Sequence, residues 1–285
     1  MSAAPILADW QLSWPVLASA GVALVLFARA FLRLRARGRS DHAGWSRAVL
    51  FSLGVAVLTL ALVSPLDAVA DDYLISAHML QHVLLGDVAP ALLVVSLRGP
   101  LTFFLVPRPL LRAVATRRPL RLLLGLLVRP TPSFALWALA IALWHVPRFY
   151  DASLERPWLH DLEHLSFFAV GTLIWIQLVD PARHGRLDVG GRVLYAASLF
   201  AVAHLAVHPV LFAGRALYTP YVEQPRRLFG LGPLADQHWA GIVMTVEQVI
   251  TLGTFLALLL RPRFLGGRRP SPSPAWGTDQ APTRR

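Results

Sequence analysis

Seven long apolar runs dominate this chain. They lie at roughly Leu12–Leu32, Ala48–Leu66, Tyr73–Leu97, Thr131–Val146, Trp158–Val179, Val193–Ala213 and His238–Leu260. A helix needs about 20 largely apolar residues to cross the hydrocarbon core of a bilayer. Inside that core every backbone polar group needs an internal partner, so runs of this length fold as spanning helices. The reading is therefore an all-α integral membrane protein, a bundle of seven transmembrane helices. The fourth run is short and follows "RPTP", where Thr131 is placed to cap and Pro132 to take the first helical position. The stretch 120–128 before it reads either as an interfacial helix or as the lower half of one proline-kinked span.

Composition agrees. Of the 285 residues, 55% are hydrophobic and 15% charged, where a soluble domain carries about 25% charge. Mean hydropathy is +0.54. The absence of cysteine removes disulfides, thiolate ligands and cysteine nucleophiles together. Met1 to Pro15 carries no positive n-region and is read as leading into a retained first span. Residues 1–264 are read as the membrane domain, and the Pro/Ser/Gly-rich 265–285 as a disordered cytoplasmic tail.

A net charge of +11 invites a nucleic-acid reading, but the placement of the arginines argues against it. Counting Arg29 with the segment after span one, the segments after spans one, three and five and the tail hold 22 arginines, and the opposite side holds five. Cytoplasmic loops carry the excess of basic residues. The expected topology is an N-terminus outside and a C-terminus in the cytoplasm, with the charge explained by topology and no nucleic acid as partner.

That topology sorts the histidines. His78 and His82 fall in the outer turns of span three, His145 at the outer end of span four, and His160 and His164 at the start of span five. His204 and His208 fall near the outer end of span six, and Asp236 and His238 at the mouth of span seven. Only His42 and His184 fall on the cytoplasmic side. Random placement would give about 0.35 histidine pairs at i,i+4, a count made against template spacing; the chain has three. Residues four apart share a helix face, about 5–6 Å between Cβ atoms, close enough for both imidazoles to reach one ion. Imidazole suits copper, zinc, iron and nickel, not calcium or magnesium. Polar groups inside spans are costly and mark cavities or partners. His78, His82, His160, His164, His204 and His208 are thus the candidate metal ligands, with at least one of His204 and His208 expected at the cavity of the other four. Pro209 disfavours the α conformation at His208, so span six is expected to end or kink there.

Other polar residues are weaker candidates. Asp236 reads as a metal ligand or as the N-cap of span seven. His238, His145, Met79, Tyr150 and Asp151 are candidates for the metal or for holding its ligands. Met79 and Met244 read first as packing residues, and only second as soft ligands for Cu(I). Asp87 lies nine residues after His78, on the opposite face at about 100° per residue, and is expected to pair with another helix. Glu247 and Gln248 suit an ion path or a helix–helix hydrogen bond. Gly-rich phosphate loops, a G-x-S-x-G elbow and an H-E-x-x-H motif are absent, so no enzyme is implied.

Three blocks, "SAHMLQHVLLGDVAPALLVVSLRGP", "LWHVPRFYDASLERPWLHDLEHLSFFAVGTLIWIQLVDP" and "LADQHWAGIVM", resemble the CtaG family of bacterial cytochrome c oxidase assembly factors. This is the multi-spanning family, not the single-span copper chaperone that shares its name. The resemblance covers about residues 48–260. It implies a seven-span protein that matures a haem–copper oxidase, with copper as cargo. The family's histidine motif falls on His78, His82, His145, His160 and His164, and its "DQ" motif on Asp236 and Gln237. His204, His208 and His238 rest on spacing and topology alone.

The expected function is a copper-handling assembly factor in the bacterial cytoplasmic membrane, with oxidase subunits and the lipid bilayer as partners. Two alternatives stand beside it: a membrane cytochrome with bis-His haem b, and a transporter of copper or another divalent ion with Asp87 and Glu247 along its path.

Overall fold

The computed structural model describes residues 8–265, and among them every regular element is helical. The proposed tail lies outside the described residues, apart from its first residue, Leu265, which closes the last helix. The long helices are α1 (Trp14–Ala36), α2 (Trp45–Val63), a composite third span, α11 (Pro157–Val179), α12 (Val189–Phe212) and α14 (Pro233–Leu265). The third span joins α4 (Ile75–Val83), a π-helical turn (Leu84–Val88) and α5 (Ala89–Ser96). The short helices are α3 (Pro65–Asp72), α6 (Pro100–Leu105), α7 (Arg108–Thr116), α8 (Arg118–Leu127), α9 (Pro130–Trp144), α10 (Pro147–Glu155) and α13 (Thr219–Glu223).

Six helical stretches are each long and apolar enough to span a bilayer, and the bent pair α8–α9 makes a seventh candidate. Its two arms meet at 74°. At 1.5 Å per residue, the 15 residues of α9 reach about 22 Å, short of the roughly 30 Å core. The bend sits where Pro130 and Pro132 lack the N–H groups a continuous helix needs. With α9 upright, α8 lies across it, its Leu122, Leu123, Leu124 and Leu126 exposed beside Arg118 and Arg121. That is the composition of a helix lying in an interface.

Large apolar side chains stay exposed along the spans, among them Val25, Leu53, Leu139, Leu165, Leu194, Leu205 and Leu258. A bilayer solvates such a surface, so association between the helices rests on close packing at small residues. A Cβ on Gly171 of α11 would lie 1.8 Å from the carbonyl oxygen of Gly86 in the π turn. The two backbones touch there, and only glycine fits. Gly54 of α2 makes room for the Leu93 side chain, and Gly241 of α14 for Leu211. Trp137 and Trp144 of α9, Phe167, Ile174 and Trp175 of α11, and Leu199 of α12 fill the main core.

Two local expectations change. The third span is not a continuous α-helix: the N–H of Ala89 reaches back five residues to Leu84 O. Pro90, one residue on, has no N–H to give to Gly86 O, which frees that carbonyl to face Gly171. Span six, in turn, does not end at His208 but runs one more turn, to Phe212. Pro209 leaves only the carbonyl of Leu205 without its helical donor, a cost a helix near its end tolerates.

Candidate metal centre

Four imidazoles from two helices converge. His78 and His82 share one face of α4, and His160 and His164 share one face of α11. One ligand nitrogen from each lies within 4.8 Å of the other three. Gly171 follows His164 by seven residues, and Gly86 follows His82 by four, so each glycine continues its helix's histidine face. The glycine contact thus sets the helices close enough for the rings, one to two turns away, to meet. Ring centroids are 5.2 Å apart for His78 and His160, and 5.3 Å for His82 and His164.

The protons in this cluster can be placed. Tyr221 Oη donates to the carbonyl of Ala70 at 2.7 Å. A phenol has one proton, so toward His78 Nδ1, 3.0 Å away, Tyr221 accepts. His78 therefore carries its proton on Nδ1 and turns a lone pair on Nε2 toward His82 Nε2 at 2.8 Å. His160 Nε2 and His164 Nε2 are buried with no hydrogen-bond partner among the described residues. Buried polar atoms are nearly always paired, so unpaired ones facing a common point call for an occupant.

Two carboxyl groups, absent from the sequence reading, flank the rings. Asp71 Oδ1 lies 3.5 Å from His160 Nε2 and 3.8 Å from His78 Nδ1, and Glu163 Oε1 lies 3.7 Å from His82 Nε2. Burial, then the neighbouring Asp67 and Asp72, push the Asp71 carboxyl up to about 7. Glu163 is fully buried and neither of its oxygens has a hydrogen-bond partner among the described residues. Its signal in the sequence was its place three residues after His160, on the same helix face. Burial is graded: His78 is 0% exposed, His82 6% and His164 9%, while the His160 side chain is 14% exposed and Asp71 34%. The centre opens along the His160–Asp71 edge.

Four imidazoles flanked by two carboxyl groups form a donor set for a first-row transition ion. Tetrahedral nitrogen donors at about 2.0 Å stand roughly 3.3 Å apart, and the four nitrogens already lie within 4.8 Å of one another.

A family model for the cytochrome c oxidase caa3 assembly factors (Caa3_CtaG) matches residues 25–263. The chain belongs to this family. The match reaches into the first span, beyond the 48–260 that the three sequence blocks covered. No curated protein and no solved structure matches the chain.

The third histidine pair is not part of the cluster of four among the described residues. His204 stacks on Phe200 at 5.4 Å, and His208 is exposed against Phe212. Their helix packs chiefly on α14, which stands between it and α4. His204 does line a cavity of about 80 Å³ that also touches His82, His145, Met79, Met244, Asp87 and Glu247. His238 Nε2 meets the carbonyl of Ala213, at 3.3 Å.

Asp236 does not cap its own helix. The helix starts earlier, at Pro233, and the Asp236 carboxylate accepts the N–H groups of Ile75 and Ser76 at the head of α4. Gln237 accepts from Leu217 N at 2.7 Å and donates to Val210 O at 3.1 Å, tying α12 and its following loop to α14. Tyr150 is buried with its ring 5.2 Å from His78 and its hydroxyl 3.2 Å from that of Tyr221. Asp151 faces away, accepting from Thr219 N at 3.4 Å. Asp87 accepts from Trp175 Nε1 and from Thr251 Oγ1, joining the third span to α11 and α14.

Proposed function

We propose that this assembly factor holds copper at His78, His82, His160 and His164 and delivers it to a cytochrome c oxidase subunit in the bacterial cytoplasmic membrane. The observation that carries the reading is the convergence of four imidazole nitrogens, two of them buried with no hydrogen-bond partner among the described residues, from two helices of an oxidase assembly factor. The protein acts by binding and release, not by catalysis. The arginine asymmetry supports an outward-facing centre. The partly exposed His160 edge supports release: an acceptor reaching that edge first replaces one imidazole, then the rest.

Haem b fits less well. The His78 and His82 nitrogens, 2.8 Å apart on one helix, do not flank a porphyrin. The adjoining cavity of about 80 Å³ is also small beside the roughly 300–1,000 Å³ of a cofactor pocket. The presence of Asp87 and Glu247 in that cavity favours a copper transporter as the second reading. Purified protein loaded with copper should bind it with no Soret absorption. Copper content unchanged by H160A/H164A would overturn the ligand assignment. Copper uptake into proteoliposomes would favour the transporter.

A further inference from the structure

We propose that His145 and Met244 form a second metal site, selective for a soft monovalent ion such as Cu(I), beside the four-histidine centre. His145 caps the C-terminus of α9, and its Nδ1 lies 2.8 Å from the carbonyl oxygen of Ile141. A carbonyl only accepts, so Nδ1 carries the proton and Nε2 presents a lone pair. That lone pair faces Met244 Sδ at 3.4 Å. A thioether has no proton to offer. Two donor atoms therefore face each other with no hydrogen between them, an arrangement that a shared cation turns into attraction. Bonds of about 2.0 Å to nitrogen and 2.3 Å to sulfur span 3.4 Å at an angle near 105°, close to tetrahedral.

The surroundings are consistent. Both side chains line the cavity of about 80 Å³, and Met79 lines it too. The chain has three methionines, and the two within the described residues both stand at this one cavity. Thioether with imidazole selects Cu(I) over zinc, magnesium or calcium. His82 belongs to both places: its Nε2 faces His78, and its ring borders the cavity. An ion leaving the imidazole cluster on that side meets the sulfur site next, and moving as Cu(I) it changes no oxidation state. The proposal shares its cargo with the four-histidine reading but not its ligands.

The test is X-ray absorption on the purified full-length protein loaded with Cu(I), compared with M244L and H160A/H164A. A sulfur shell near about 2.3 Å is expected in the wild type. M244L, close in volume, should lower the amplitude of that shell and weaken Ag(I) binding by about tenfold or more, as even outer partners of metal ligands do. H160A/H164A should keep the sulfur shell while losing imidazole ligands, so failure of the four-histidine reading shows in that variant alone. A nitrogen-only shell in the wild type, or one with sulfur that M244L leaves unchanged, overturns the proposal. If M244L does not reach the membrane, H145A carries the test: unchanged Ag(I) affinity overturns it, and a drop of that size supports it.

Discussion

Asp236, in the first turn of α14, caps α4 across the bundle: its carboxylate accepts the N–H of Ile75 at 2.8 Å and of Ser76 at 3.2 Å. Those two donors have no partner within their own helix. The cap therefore fixes the start of the helix that carries His78 and His82. Replacing a capping aspartate with alanine costs about 1–2 kcal/mol. D236A should lower the thermal midpoint in detergent and weaken copper binding, and D236N, which keeps one acceptor, should do less of both. An unmoved midpoint in D236A would sink the capping argument.

Each histidine pair contributes two of the four donors, so neither pair suffices alone. H78A/H82A and H160A/H164A should each lose the copper held by the four imidazoles and stop oxidase maturation. H208A, altering an exposed ring set against Phe212, should leave both intact. Oxidase activity per unit of membrane-embedded assembly factor is the measure. Normal activity in either double variant would remove that helix from the site.

Gly171 leaves no room for a side chain, since its Cβ would lie 1.8 Å from Gly86 O. Overpacking of this kind typically costs about 1–3 kcal/mol, and here it also separates the two histidine faces. G171A should reduce the amount of folded protein and its copper content. G125A, with nothing within 4 Å of the added methyl, should change neither. Wild-type behaviour of G171A would mean that the glycine contact does not set the distance between the pairs.

Orientation is testable independently of metal. Reporter fusions after Arg261 should be active only in the cytoplasm, and fusions in the α10 loop only outside. The reverse pattern would put the histidine centre on the wrong face for delivery to an outward-facing copper site.

The sequence alone determined the class of the protein, because run length against bilayer thickness and the pairing of backbone polar groups are local properties. It determined also that His78 with His82, and His160 with His164, share a face, since four residues is close to one helical turn. Which pairs meet was settled only in three dimensions. His204 and His208 have the same spacing, yet α12 packs chiefly on α14, so His204 reaches only the cavity beside His82 and His208 stays exposed. The α11 pair reaches α4 because Gly86 and Gly171 let two backbones touch, and helical periodicity carries no information about which glycine meets which. The π turn over Leu84–Val88 departs from the uniform 100° steps on which the sequence reading of the third span rested. Asp71, Glu163 and Tyr221 gained their places from contacts between separate elements, with His160 and His78, with His82, and with His78. Spacing along one helix is fixed by covalent geometry, but distance between helices is fixed by packing, and the centre depends on both.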